Sequence, residues 1–238
     1  MVAWGPLLGT PWAASVNDVL VASNVAQVVP VKQAQTTTPS LYLPMPKGGV
    51  LASNGPASVP LFGRAVFVVC TFVTVPTDAS QLYTVFTDRD SMAGSVGQVI
   101  LRADPGAEGA RMVTWVRAAD GWFATPYIGP PGVVKPGETR VWGFQYVQNG
   151  ADLQVTHIPA AAAGSVSLET TKGKTASPPP SARRLQVGAW RAYGAALGDP
   201  VAEQGDVALH EIVVFRGAMA DADLQAVYQS LVRKWSPK

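Results

Sequence analysis

The 238-residue sequence contains a single cysteine, Cys70. One cysteine excludes an intramolecular disulfide and any metal site built from several cysteines. Cys70 lies in the apolar run AVFVVCTFVTV at residues 65–75, where no neighbouring group would stabilise a thiolate. We therefore expect Cys70 to be a small buried side chain rather than a reactive thiol.

Charged residues are also scarce. They make up 14% of the chain, the net charge is +2, and no run of Lys or Arg exceeds two residues. A nucleic-acid-binding surface needs clustered basic residues, so no nucleic-acid partner is expected. A surface covered mainly by uncharged polar and small residues carries little electrostatic repulsion, which suits a protein that packs against other proteins.

Long apolar stretches are absent. No segment approaches the length of a membrane span, so no membrane insertion is expected. Residues 1–15, MVAWGPLLGTPWAAS, have no Lys or Arg before the apolar part and are interrupted by Pro6 and Pro11. These residues lack the features of a signal peptide. We therefore expect the protein to be made in the cytoplasm without a signal peptide.

The sequence carries no recognisable catalytic pattern. Glu211 has no acidic neighbour two positions away, no serine lies in a nucleophile elbow, and no Asp cluster has calcium-loop spacing. We expect His157 to pack beside Trp142, and His210 to lie on the strand face opposite Glu211. The prediction is therefore no enzyme, no cofactor and no metal. A calcium ion held by backbone carbonyls and one Asp leaves no sequence signature, so that alternative stays open.

Proline and glycine, in contrast, are plentiful, with 20 and 23 residues. They divide the chain into many short segments, as in proteins built from short strands. Residues 1–60 hold eight of the prolines and are predicted to form an extended N-terminal arm with edge strands. Residues 61–238 are predicted to form an all-β, antiparallel two-sheet sandwich of jelly-roll type.

Strand signals strengthen after residue 64. The run at 65–75 is predicted to be a strand buried on both faces. Further strands are predicted at residues 81–87, 98–102, 111–117, 185–191 and 206–215, with loops at 160–163 and 170–180.

The clearest local signal is TRVWGFQYVQNGADLQVTHI at residues 139–158, because Asn-Gly suits a two-residue hairpin loop. That loop predicts the pairs Tyr146–Leu153, Phe144–Val155 and Trp142–His157. One face of the hairpin would be aromatic and the other wet. The three aromatic side chains are expected to fill the space between the two sheets.

The chain ends in a segment with helical periodicity. Residues 220–235 are predicted to form a short C-terminal helix, with an apolar stripe that packs on the sandwich and consists of Leu224, Val227, Leu231 and Trp235. Asp221 and Asp223 in the first turn, and Arg233 and Lys234 in the last, complement the helix dipole.

The last fifty residues also carry motifs of a known fold. They read LQVGA at 185–189, GDVALHEIVVF at 205–215, GAMADAD at 217–223 and LVRKW at 231–235. This order resembles the concanavalin A-like, laminin G-type jelly-roll family, strongest over residues 185–238. The family usually has Ser at the helix N-cap, where this chain has Ala220. Its glycanase members use Glu-x-Asp-x-x-Glu, which is absent from this sequence.

Exposed aromatic residues are the remaining candidates for a ligand site. Trp122 and Trp190 follow closely on Gly121 and Gly188, so we expect Trp122, Trp190 and Tyr193 to bind ligand by stacking on sugar rings.

Two functions from different classes are compatible with these features. The first is a structural, assembly or adhesion protein of a virus particle, such as a phage head decoration, fibre or tail component. It would be made in the host cytoplasm, and its partners would be other virion proteins, copies of itself or a cell-surface glycan. The alternative is an extracellular bacterial carbohydrate-binding or adhesion module.

Overall fold

The computed structural model describes residues 2–4, 12–13, 19–22, 27–33, 36–43, 51–53, 64–78, 80–87, 99–117, 123–158, 168–174, 186–188 and 206–235. Within these ranges the chain forms sixteen β-strands and one α-helix. The strands are β1 Val2–Trp4, β2 Trp12–Ala13, β3 Val19–Ala22, β4 Gln27–Gln33, β5 Thr36–Leu43, β6 Leu51–Ser53, β7 Arg64–Phe72, β8 Tyr83–Thr87, β9 Val99–Asp104, β10 Arg111–Arg117, β11 Phe123–Ile128, β12 Thr139–Asn149, β13 Asp152–Ile158, β14 Glu169–Lys174, β15 Gln186–Val187 and β16 Val207–Arg216. The helix, α1, spans Asp221–Trp235.

The strands form two antiparallel sheets. The first, sheet A, has the order β14-β13-β12-β7-β16-β5-β4, and β1 also pairs with β16. The second, sheet B, has the order β11-β10-β9-β8-β15-β6-β3-β2. The predicted all-β sandwich with a C-terminal helix is confirmed. Strands from residues 2–53 belong to both sheets, while the predicted division of the chain at residue 60 stays a prediction.

The centre of sheet A is β7, whose nine residues RAVFVVCTF are buried with the exception of the half-buried Thr71. Its alternate side chains enter two different cores. Val66, Val68 and Cys70 face sheet B, whereas Ala65, Phe67 and Val69 face the helix. Burial on both faces accounts for the continuous apolar run, and it confirms Cys70 as a buried residue.

Helix α1 covers the outer face of sheet A, so the molecule has three layers. Leu224, Tyr228, Leu231 and Trp235 are buried against that sheet, and Val227 is half-buried. The predicted stripe and its packing on the sandwich are confirmed, with Tyr228 as an additional buried position.

The entry to the helix is held by a side chain from the sheet. Gln145 Oε1 accepts a hydrogen bond from Met219 N–H at 2.6 Å, and Gln145 Nε2 donates to Met219 O at 3.1 Å. These bonds fix the backbone next to Ala220, which has no side chain able to cap the helix. Gln145 and Thr156 are buried, so the face of the hairpin that was predicted to be wet is covered at this end.

The hairpin register differs from the prediction. Asn149 pairs with Asp152, so the two-residue loop is Gly150-Ala151 and Phe144 lies opposite His157. Gly150 adopts φ +59°, and Gln148 Nε2 donates to the Gly150 carbonyl at 3.0 Å. The pattern of faces is unchanged, because pairing has shifted by an even number of positions.

Two edge strands escaped the sequence analysis. Residues 170–174 were expected to be a loop but belong to β14, whose backbone pairs with β13. Its Glu, Lys and Gly residues have weak strand propensity, and an edge strand tolerates them because it pairs on one side only. Strand β11 contains Pro126 and lies at the edge of sheet B, where a missing N–H does not interrupt a ladder.

A β-bulge changes the direction of side chains in β16. The register shifts between Leu209 and Glu211, so that Leu209 and Ile212 both face the inner core. His210 stacks on Trp235, and Glu211 accepts a hydrogen bond from the same Trp235 indole. The predicted opposite placement of His210 and Glu211 is therefore wrong, because the extra residue puts both on the helix side.

Candidate functional site

A cavity opens where β11 of sheet B lies over β13 and β14 at the edge of sheet A. We call it the edge cavity. It has a volume of about 310 Å³, including the part open to solvent. Its walls are formed by Leu101, Met112, Thr114, Tyr127, Gly129, Pro130, Val133, Trp142, Gly143, His157 and Ile158.

Two rings from different sheets stack at this cavity. The ring centroids of Tyr127 and His157 are 4.4 Å apart, and their planes are inclined by 21°. The prediction that His157 packs beside Trp142 as its cross-strand partner is wrong. In the observed register, His157 lies opposite Phe144. Trp142 lies two positions along β12 from Phe144 on the same face, and it also lines the cavity.

His157 is a buried, neutral imidazole. Its Nε2 lies 3.1 Å from Thr171 Oγ1 on β14. Its Nδ1 is buried and has no hydrogen-bond partner among the described residues. Burial lowers the pKa of His157 from 6.5 to about 3, since desolvation disfavours the charged ring.

Trp142 also lines the cavity, and its side chain carries a second unpaired polar atom. Its side chain is 2% exposed and belongs to the core between the sheets, together with Phe144 and Tyr146, as the sequence predicted. Its Nε1–H has no acceptor within the part of the chain that the structure describes. Most buried polar groups in proteins are hydrogen-bonded, so a cavity lined by two residues that each carry an unpaired polar atom is unusual.

The cavity is uncharged. None of the described residues that line it is Asp, Glu, Lys or Arg. The phenol of Tyr127 also stays neutral, because burial and then the charge of Glu169 raise its pKa to about 12. The site combines aromatic and aliphatic walls with a few neutral polar groups, which is the usual composition of a small-molecule site.

Two glycines in the cavity wall let the backbone pack closely against neighbouring strands. A Cβ at Gly143 would lie 2.8 Å from Val66 O and 3.1 Å from Phe67 Cδ1. A Cβ at Gly129 would lie 2.9 Å from Met112 O. The contacts with the two carbonyl oxygens are shorter than real Cβ atoms make, so these positions require glycine.

The sequence prediction placed ligand binding elsewhere. Trp122, Trp190 and Tyr193 lie outside the described residues, so their role stays a prediction. Tyr127 and the two unpaired atoms were missed, because Tyr127 follows a proline in an edge strand and meets His157 only across the sandwich. The sequence offered one signal for Tyr127, which is that this aromatic residue lies shortly before the turn sequence GPPG at residues 129–132.

Glu211 lies away from the cavity and has structural partners. Its Oε2 accepts hydrogen bonds from Trp235 Nε1 at 2.6 Å and from Lys234 Nζ at 2.7 Å. These two partners give Glu211 a structural role at the end of the helix. In the described ranges, no three His, Cys, Asp or Glu side chains come together as metal ligands would, and no helix has the length and apolar character needed to cross a membrane.

Neither a protein-family model nor a curated protein sequence matches this chain. Solved structures do resemble it. The botulinum neurotoxin serotype D binding domain has a TM-score of 0.58 and 9% identity over 97% of this chain and 50% of that chain. Tailspike protein 2 of Escherichia coli O157:H7 bacteriophage CAB120 has a TM-score of 0.59 and 14% identity over 90% of this chain and 28% of that chain.

An arabinofuranosidase complexed with arabinofuranosyl-alpha-1,2-xylobiose has a TM-score of 0.58 and 12% identity over 94% of this chain and 50% of that chain. This chain thus spans half or less of each of these three proteins. Identities this low indicate a shared fold only, and the fold is a jelly-roll-like β-sandwich found in both binding domains and enzymes.

Proposed function

We propose that this chain is a non-enzymatic carbohydrate-binding adhesion module that contacts its ligand at the edge cavity. The observation that carries the proposal is the combination of the aromatic rings of Tyr127 and Trp142 with two buried polar atoms, Trp142 Nε1 and His157 Nδ1, that have no partner among the described residues. Sugars present both an apolar face, which packs on aromatic rings, and hydroxyl groups, which satisfy such atoms.

The ligand is a neutral saccharide rather than an acidic one. An anion in this cavity would be desolvated without a counter-charge, because none of the described lining residues is Lys or Arg and His157 is neutral. Hydroxyl groups can enter the same environment when they form hydrogen bonds there.

Further binding surface comes from the aromatic residues that the sequence analysis selected. We propose that Trp122, Trp190 and Tyr193 stack on additional sugar rings of a longer glycan. Trp122 immediately precedes β11, the strand that carries Tyr127. The lectin-like resemblance of residues 185–238 supports the same function, and we propose that the chain is a divergent concanavalin A-like sandwich.

The absence of catalysis is part of the proposal. Glu211 Oε2 accepts from the Trp235 indole and the Lys234 ammonium, and the side chain is largely buried, which favours a structural role over a catalytic one. The edge cavity has no described carboxylate among its lining residues, and glycoside hydrolysis normally requires a pair of them.

The experiment is a glycan array with the full chain, with and without calcium, followed by calorimetry on the glycans that bind. A variant, Val133→Phe, fills the cavity from a half-buried wall position. Val73→Phe makes the same change at an exposed residue that does not line the cavity and serves as the control. Loss of binding in Val133→Phe alone supports the proposal. An array without any bound glycan, or equal binding by both variants, contradicts it.

As a second candidate, this module functions in a phage particle, where it contacts other virion proteins or copies of itself. The structural similarity to a phage tailspike and the low surface charge favour this setting. Immunogold labelling with an antibody against the full chain tests it on purified particles. Label on the particle surface supports the candidate, and particles free of the chain by mass spectrometry exclude it.

A further inference from the structure

We infer that Glu169, beside the edge cavity, is the residue that selects a neutral saccharide over an acidic one. Its carboxylate accepts hydrogen bonds from saccharide hydroxyl groups and repels the carboxylate or sulfate groups of acidic glycans. The inference rests on the proposed function and adds a specificity-determining residue to the same site.

Strand pairing places Glu169 next to a residue of the cavity wall. Glu169 on β14 is the cross-strand partner of His157 on β13, and His157 lines the cavity. Partners in an antiparallel pair have Cβ atoms about 5 Å apart on the same face of the sheet. Because the His157 ring stacks on Tyr127 of sheet B, this face is the one that faces sheet B. The Glu169 side chain therefore leaves the backbone on the cavity side of sheet A.

Two further observations agree with this placement. Thr171 lies two positions after Glu169, on the same face of β14, and its Oγ1 is 3.1 Å from His157 Nε2. The charge of Glu169 also acts on the Tyr127 phenol, because burial and then this carboxylate raise the pKa of Tyr127 to about 12. Glu169 thus lies near both rings of the stack that forms one wall of the cavity.

The Glu169 carboxylate is free to bind a ligand. Glu169 is exposed, and it makes no hydrogen bond or ion pair within the described ranges. Lys172, the nearest basic residue along β14, lies on the opposite face of the strand. An ionised carboxylate only accepts hydrogen bonds, so it binds hydroxyl groups, which can donate. A second carboxylate or a sulfate has no proton to donate and is repelled.

Salt separates this repulsion from other reasons for rejecting an acidic glycan. None of the described residues that line the cavity is Lys or Arg, so no positive charge in its wall offsets Glu169. The carboxylate is exposed, and the repulsion between exposed charges is screened over about 10 Å at 0.1 M salt and about 3 Å at 1 M. Added salt should therefore weaken the rejection of acidic glycans, while a hydrogen bond from a neutral glycan should change little.

The test is a glycan array that carries neutral glycans and matched glycans in which a uronic acid replaces one hexose, with calorimetry on the pairs that bind. It is probed with the full chain, Glu169→Gln and Glu169→Lys. Glu169→Gln keeps the shape of the side chain and removes the charge, and Glu169→Lys reverses the charge. Asp223→Asn is the matched control, because it removes a negative charge from the exposed surface of helix α1, on the other side of sheet A.

The wild type should bind each neutral glycan at least about tenfold more tightly than its uronic acid counterpart. Glu169→Gln should reduce this ratio by at least about threefold, and Glu169→Lys should prefer the uronic acid glycan. Salt at about 1 M should lower the ratio of the wild type but not that of Glu169→Gln. Asp223→Asn should match the wild type.

Equal binding of neutral and acidic glycans by the wild type overturns the inference and leaves saccharide binding in place. An unchanged ratio in Glu169→Gln, or the same change in Asp223→Asn, has the same meaning. Failure of every glycan on the array to bind the wild type overturns the proposed function, and this inference with it.

Discussion

Tyr127 and His157 belong to different sheets, yet their rings stack with centroids 4.4 Å apart. The contact joins β11 at the edge of sheet B to β13, which lies next to the edge of sheet A. It closes the sandwich at this end and forms one wall of the edge cavity, so it contributes to both stability and the proposed binding site.

Replacing Tyr127 should show how much this stack stabilises the fold. Tyr127→Leu removes the ring and should lower the free energy of unfolding by about 2 kcal/mol, through lost packing and the lost aromatic pair. Tyr127→Phe keeps the stack and should cost less than about 1 kcal/mol. Urea unfolding of both variants provides the measurement. Equal losses would mean that the hydroxyl, not the stack, is the stabilising group.

The Glu211–Trp235 hydrogen bond should hold the end of the helix. Trp235→Phe keeps a ring against His210 but removes the donor to the largely buried Glu211, with an expected loss of about 1–3 kcal/mol. Lys234→Ala removes the other partner, whose side chain is 54% exposed, and should cost no more than about 1 kcal/mol. Chemical denaturation compares the two, and a larger loss for Lys234→Ala would contradict this assignment.

His210 should make the protein less stable in mild acid. Burial lowers its pKa from 6.5 to about 4, so between these pH values the unfolded chain binds a proton that the folded chain does not. The free energy of unfolding should therefore fall as the pH decreases from about 6.5 to about 4, by up to about 3 kcal/mol for this residue. Below that window its contribution is constant.

His210→Gln isolates this contribution from that of His157, Glu211 and the other titrating groups. Denaturation of wild type and variant at several pH values between 4 and 7 should give a shallower dependence for the variant. Parallel curves would show that His210 does not titrate differently in the folded and unfolded states.

Cys70 should be chemically silent in the native protein. It is fully buried in β7, and burial raises the pKa of its thiol, so thiolate is absent at neutral pH. A thiol-reactive disulfide reagent should label the chain only after denaturant is added, with one thiol released per chain. Rapid labelling without denaturant would place Cys70 at an accessible position.

The features that could be predicted from sequence are those set by local pattern. The β-branched run of β7 identified a strand buried on both faces, and the spacing of Leu224, Leu231 and Trp235 identified the helix and its packing face. Such patterns report burial directly, because side chains that recur at the period of a strand or a helix lie on the same face of it.

The features that were missed depend on contacts between distant residues. Asn149-Gly150 is a strong loop signal, but the loop lies one position later, where Gln148 bonds the Gly150 carbonyl and accepts from Tyr146 Oη–H at 2.5 Å. The bulge at His210 and the Tyr127–His157 stack likewise involve pairing or packing across the sheets. No local sequence period specifies them.

The central claim is that the edge cavity binds a saccharide hydroxyl. The most direct measurement is a crystal structure of the full chain with a glycan selected on the array. We predict a saccharide in the edge cavity, with a sugar ring beside Tyr127 and a saccharide oxygen within hydrogen-bond distance of Trp142 Nε1 or His157 Nδ1. A glycan bound elsewhere on the molecule, with the edge cavity unchanged, would contradict the claim.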